Sequence, residues 1–300
     1  MRGQVASGES ALLKANQYKK KSQWLDIWRR LRKNKGSMAG LVILVIIVLL
    51  AIFADFIFDY DLDVIGLNMA RRLQWPSSEN LLGTDELGRD MLARVVFGAR
   101  TSLAIGAVCN LFAFTGGVTL GAIAGFYGGK TDNIIMRFTD IFLAIPGQLL
   151  AICIVAALGI STGNLILALS VAFIPGYARV MRGPVLMIRD VEFIEAARAI
   201  GARKRTIIMS HVLPNCMAPV IVQAALNMAW MIVMLAGLSF LGLGISPPTP
   251  EWGAMLSSSR DFIRDNSYMA LFPGIAIMLT VLSLNLLGDG LRDALDPRLK

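Results

Sequence analysis

Long apolar runs alternate with short polar connections along most of this chain. Lipid supplies no hydrogen-bond partners, so a segment that crosses it must be helical, with about 20 apolar residues. Runs at 38–58, 101–126, 138–158, 163–181, 217–243 and 270–287 fit that requirement. They predict an all-α integral membrane protein with about six transmembrane helices. The first run follows a basic flank, as in a secretory signal. It is too long for a signal's apolar region and lacks a small-residue cleavage site, so it reads as a retained helix. The second run carries Ala113, Gly117, Gly121 and Gly125 at a spacing of four. Small residues at that spacing predict close packing against another helix. Pro146 and Pro175 interrupt the third and fourth runs and predict kinks there.

The polar connections set an orientation. A basic tail (1–35) precedes the first span (36–58), a long loop (59–100), a five-helix core (101–288) and a short tail (289–300). Within the core, the loop at 182–215 carries Arg182, Arg189, Arg198, Arg203, Lys204 and Arg205. The positive-inside rule places this loop and both termini in the cytoplasm. The 59–100 loop runs against the rule, with Arg71, Arg72, Arg89, Arg94 and Arg100 on the outer side. Ahead of the first span, Trp24, Trp28 and Leu31 share one helical face, which predicts a short helix in the inner interface.

Composition agrees with a lipid solvent. Hydrophobic residues make up 55% and charged residues 17%, with a mean hydropathy of +0.62. A soluble domain would be about a quarter charged. The net charge of +8 is concentrated in the N-terminal tail, where it reads as a topology signal and not as a nucleic-acid surface. Cys109, Cys153 and Cys216 are far apart, and His211 is the lone histidine, so no metal site is expected.

The centres of the runs are nearly free of charge. Asp55 lies near one end of the first, and Asp140 near one end of the third, one turn from Arg137. Proton- or voltage-driven transporters need buried ionisable groups. A secondary transporter or channel subunit is therefore the weaker reading, and a membrane-embedded enzyme lacks a catalytic constellation. A passive scaffold subunit is a further alternative. Asn110, Gln148, Asn164, Gln223, Asn227 and Asn285 are candidates for interhelical bonds or a pathway lining. Met217, Met228, Met231 and Met234 on the fifth run suit core packing. Gly129-Lys130-Thr131 imitates the end of a phosphate-binding loop. Ala124 stands where that motif needs glycine, so no nucleotide site is expected in this chain.

The 182–215 loop is the richest segment. Glu195, Ala196 and Ala197 open a helix-forming stretch that Gly201 ends, followed by Ala202. A second short helix is expected from Lys204 to His211, limited by Pro214. The spacing of Glu195, Ala196, Ala197, Gly201, Leu213 and Pro214 resembles the EAA loop of ATP-binding-cassette importer permeases. His211 occupies a position that is apolar in the general motif. Residues 82–90, 98–103, 247–256 and 285–297 resemble further blocks of the dipeptide, oligopeptide and nickel permeases. More narrowly, the chain resembles the C-type subunit of such a permease pair.

That resemblance implies a type I importer permease fold in a bacterial inner membrane and no catalysis by this chain. It implies a homologous permease as heterodimer partner and two cytoplasmic ATPases that bind ATP and Mg. It also implies an extracytoplasmic solute-binding protein. Glu195, Ala196, Ala197, Gly201, Ala202, His211, Leu213 and Pro214 would form the ATPase-coupling loop. Pro247, Pro248, Pro250, Glu251, Trp252 and Gly253 are a candidate external gate or binding-protein contact. A di- or oligopeptide is the leading cargo, with nickel, glutathione or another small solute as alternatives.

Overall fold

The computed structural model describes residues 23–295. The basic residues of 1–22 and the end of the C-terminal tail lie outside the described residues, as does the Trp24 side chain. All regular elements described are helical, apart from one isolated bridge between Thr84 and Asp90.

A short helix α1 (Gln23–Lys33) leads into α2 (Lys35–Ile52). Asn34 caps α2 by accepting from the Ser37 N–H. The one-turn α3 (Ala54–Ile57) ends this arm. After a folded loop, α4 (Met91–Tyr127) runs for 37 residues. Next come α5 (Gly129–Ala144), α6 (Gly147–Leu158) and α7 (Thr162–Ile188). The loop helices α8 (Glu192–Ala199) and α9 (Lys204–Ile207) precede α10 (Leu213–Phe240). The short α11 (Trp252–Ser258) and the long α12 (Tyr268–Leu295) complete the chain.

Among the described residues, five helical segments are long and apolar enough to cross a membrane: α2, α4, α7, the run from α9 through α10, and α12. The third expected span, at 138–158, is broken. Helices α5 and α6 meet at 90°. Pro146 forces Ile145 into an extended conformation, φ −95° and ψ 127°, and the ladder stops there. Helix α6 has 12 residues, so it rises only about 18 Å, against a hydrocarbon core of about 30 Å. The kink expected at Pro146 in the 138–158 run is therefore a full break into two helices.

Three other expectations change. The second span begins at Met91, ten residues before its apolar run, because Asp90 caps it by accepting from the Ala93 N–H at 2.8 Å. The fourth extends past the expected 163–181 to Ile188, with Pro175 and Pro184 inside one helix. Pro214 does not end the helix that starts at Lys204. A π turn at Ile208–Val212 widens the ladder just where the proline ring would strike the preceding turn, and the chain continues into α10.

The core forms around the small-residue stripe. Cys109, Ala113 and Gly117 of α4 face Ser170 and Tyr177 of α7. A methyl at Gly121 would overlap the Ala178 carbonyl oxygen and lie 2.8 Å from the Met181 Cβ. One at Gly125 would lie 2.8 Å from the Val185 Cβ. The two helices touch backbone to backbone, as the spacing of four predicted. A second close crossing joins α2 to α12. Gly40 lies against the Ser283 carbonyl, and the Ser37 hydroxyl donates to the Leu286 carbonyl at 3.0 Å. Outward on α2, Val42, Val45, Ile46, Leu49 and Leu50 are exposed, as expected of a helix whose solvent is lipid.

Candidate functional site

The α8 segment stands out as a built platform. Val191 lies in extended backbone, and α8 opens with Glu192 and Glu195 in its first turn, where acidic groups suit the helix dipole. Its ending is a Schellman motif. The Ala202 N–H donates to the Ala197 carbonyl, and the Gly201 N–H to the Arg198 carbonyl. Gly201 sits at φ +81° with nothing within 4 Å of where a β-carbon would stand, so backbone conformation and not packing requires glycine there.

One face of α8 is nailed down. Ile194 is fully buried and Ala197 nearly so, and Ile207 of α9 is buried beside them in the main core. Two cations tie the segment to the end of α4. Arg198 lies 5.5 Å from the Phe126 ring centre, and Lys204 lies 5.4 Å from that of Tyr127. Arg189 donates to the Gly125 carbonyl at 3.1 Å.

The opposite face of α8 is bare. Glu195, Ala196 and Ala199 are exposed, flanked by Phe193 at 43% and Ile200 at 85% exposure. Two small side chains between large apolar ones form a shallow surface on a rigid base. Of the other expected coupling residues, Ala202 and Leu213 pack against the core, His211 is half-buried in the π turn, and Pro214 is exposed. Only Glu195 and Ala196 of that set present their side chains on the platform.

An ionic latch lies nearby that the sequence reading missed. Arg182 of α7 grips Asp132 of α5 with both prongs, Nε to Oδ1 at 2.5 Å and Nη2 to Oδ2 at 2.6 Å. Arg179 reaches Asp140 at 2.7 Å. Asp140 therefore pairs across helices and not with Arg137 as its spacing suggested. Interhelical bonding holds for Asn110, which donates to the Ala224 carbonyl and accepts from the Tyr177 hydroxyl. Asn164 instead donates to the carbonyls of Leu158 and Gly159, closing the turn before α7.

The other end of the bundle is a folded cap. Asp85 accepts from the backbone of Leu87 and Arg89 and pairs with the side chains of Arg89 (2.6 Å) and Arg94 (3.3 Å). Arg100 bonds Asp55 at 2.8 Å and the Ala51 carbonyl at the end of α2. Partial burial holds the Asp90 carboxyl above its usual range. Of the arginines that defied the charge rule, Arg89 and Arg94 are thus paired within the loop and Arg100 with the end of the first helical arm.

The segment expected as an external gate is mostly interior. Glu251 is fully buried. Its carboxylate accepts from the N–H groups of Gly253 and Ala254, both at 2.9 Å, and from the Ser102 hydroxyl at 3.2 Å. The buried Trp252 donates from its indole N–H to the Val95 carbonyl at 2.9 Å. Gly253 lies against the Ala236 backbone and Pro250 is buried. Only Pro247 and Pro248 present exposed side chains. The segment clasps α4 to α10, which gives its residues a structural reason to be there.

Two family models match the chain. Residues 117–300 match the binding-protein-dependent transport system inner membrane component, and residues 22–76 the N-terminal transmembrane domain of oligopeptide transport permease C. The chain belongs to the binding-protein-dependent transport permeases. The permease is 47% identical to a dipeptide transport system permease of Alkalihalophilus pseudofirmus, over 95% of this chain and 93% of the relative. It is 43% identical to a glutathione transport system permease of Pectobacterium atrosepticum, over 93% of each. A di/tripeptide transport system permease of Pseudomonas aeruginosa is 44% identical over 92% of each. Among solved structures, a chain of the inward-facing MetNI methionine ABC transporter superposes with a TM-score of 0.57 at 21% identity. That match covers 69% of this chain and 98% of the other. The expected type I importer permease fold is therefore present, and the all-helical membrane architecture with it.

Proposed function

We propose that this permease is one subunit of a heterodimeric pathway in an ATP-driven peptide importer of a bacterial inner membrane. The α8 platform faces the cytoplasm and seats in a cleft of an ATPase subunit. Two such ATPases bind ATP and Mg, and this chain performs no hydrolysis. An external solute-binding protein delivers the cargo to the end that carries the folded cap. Both termini are cytoplasmic. The single observation that carries the coupling role is α8 itself, with a buried anchor on one face and an exposed Phe193–Ala196–Ile200 surface on the other.

Orientation is supported by charge. The α8 end bears exposed Arg203 and Arg205, while the arginines at the cap end are largely paired or capped internally. Peptide cargo is supported by two of the relatives, a dipeptide and a di/tripeptide transport permease. Glutathione is the second reading, favoured by the relative at 43% identity. The test is uptake by the complete transporter in liposomes, with its binding protein outside and ATP inside. ATP-dependent accumulation of a labelled dipeptide, competed weakly by glutathione, is expected. Accumulation of glutathione or nickel alone would overturn the peptide reading.

A further inference from the structure

A cavity of about 600 Å³ opens between α7, α10 and α12 at the α8 end of the bundle. Its walls include Val180, Asn215, Pro219, Gln223, Leu226 and Arg292. Among the described residues, no acidic side chain lines it. Arg292 is exposed there and has no carboxylate partner among the described residues. The nearest acids along its helix are Asp289 and Asp293. Asp293 meets Asn34 at 3.4 Å, and Asp289 forms no ion pair among the described residues.

The amide groups complement this cation. Asn215 gives one of its two amide N–H groups to the His211 carbonyl, and Gln223 gives one of its own to the Asn227 side-chain oxygen at 2.8 Å. Their side-chain oxygens are left as acceptors. Pro219 has no N–H, so the Asn215 backbone carbonyl, four residues earlier, loses its ladder partner. The cavity thus holds one guanidinium, neutral oxygens and a remaining amide N–H on each carboxamide, joined by apolar wall. A guanidinium recognises a carboxylate, and neutral oxygens accept from an ammonium or peptide N–H. The volume lies within the range of small-ligand sites.

We propose that this cavity is a cargo subsite on the inner half of the pathway, in which Arg292 takes the free α-carboxylate of a short peptide while Asn215 and Gln223 take its N–H groups. The assignment rests on the peptide-importer reading above and adds a requirement to it. Cargo whose carboxylate is amidated loses its hold on this subsite.

The test uses the assembled transporter in detergent, with Cys153→Ser removing the exposed native thiol. Ala218→Cys places a reporter thiol on the cavity wall, and Val180→Cys places a second one across from it. A water-soluble maleimide is expected to label both. L-alanyl-L-alanine should slow that labelling, and its C-terminal amide should need roughly tenfold more to do so. Arg292→Gln should erase the difference between dipeptide and amide without reducing the unprotected labelling rate. Equal protection by both compounds, or an undiminished difference in Arg292→Gln, would overturn the role of Arg292. Absence of labelling at both positions would overturn the cavity as an aqueous subsite. Uptake measured in parallel separates the two readings. Normal dipeptide uptake with no carboxylate effect sinks the subsite alone, whereas no peptide uptake at all sinks the importer reading beneath it.

Discussion

Replacing Gly121 by alanine tests the packing that organises the bundle. The added methyl would overlap the Ala178 carbonyl oxygen and stand 2.8 Å from the Met181 Cβ. An ordinary carbon–carbon contact is about 3.5–4.0 Å, so α4 and α7 must part by roughly 1 Å. Neither obstacle is the loose end of a flexible side chain. Overpacking of this kind costs about 1–3 kcal/mol. Gly183, on α7, is the control, because nothing lies within 4 Å of a methyl placed there. Its alanine variant should gain about 0.5–1 kcal/mol from reduced backbone freedom. Unfolding can be followed in detergent with a thiol-reactive dye, since Cys109 and Cys216 are buried and Cys153, which is exposed, can be changed to serine. At roughly 2–4 °C per kcal/mol, Gly121→Ala should melt several degrees below wild type and Gly183→Ala at or slightly above it. Gly117→Ala combined with Gly121→Ala should cost less than the sum, because one separation of the helices relieves both. A Gly121→Ala protein that melts with wild type would refute the backbone-to-backbone contact.

Other parts of the fold give sharper or milder effects. Trp252→Ala removes a large buried ring and its bond to Val95, and should cost about 3–5 kcal/mol, read as loss of protein from the membrane fraction; Trp252→Phe should be tolerated better. Gly88→Ala brings a methyl onto the Asn68 carbonyl at φ +77°, so the cap loop should become sensitive to limited proteolysis while the spans stay inserted. Asp132→Asn loosens the grip of Arg182, whose side chain is about one-third exposed (34%); the expected loss is about 1 kcal/mol, partly recovered by exchanging the two residues, and equal melting of all three proteins would count against the latch.

The apolar runs made the membrane class and most helices readable, because a lipid solvent leaves little choice of backbone structure. The spacing of Ala113, Gly117, Gly121 and Gly125 revealed a contact before its partner was known. Glycine at such positions has few other uses. What stayed hidden depends on groups distant in sequence. Asp140 has Arg137 within one turn, yet pairs with Arg179, 39 residues away. The start of α4 was missed because its first turns carry arginines, and only the cap at Asp90 and the pairing of Arg94 with Asp85 make them helical. Glu251 and Trp252 looked like surface residues in a proline-rich connection. Their burial follows from Ser102 and Val95 on α4, about 150 positions earlier, which no local pattern announces.

The α8 platform was legible for a different reason. Its helix, its glycine stop and its alanines are all local, and the motif that carries the family resemblance spans only a few turns. Which of its residues face outward was not legible, since Ala196 and Ala197 are neighbours with opposite fates. Ala196 is exposed and Ala197 is 7% exposed.

The coupling claim is met most directly by purifying the tagged permease with its ATPases and partner permease, comparing wild type with Glu195→Arg, Ala196→Arg and Gly201→Asp. Wild type should retain the ATPases and show cargo-stimulated ATP hydrolysis. The variants should reach the membrane in normal amount yet lose both, because they alter the exposed face or the left-handed stop of α8 without touching Ile194 or Ile207. Variants that keep full ATPase association and cargo-stimulated hydrolysis would contradict the account.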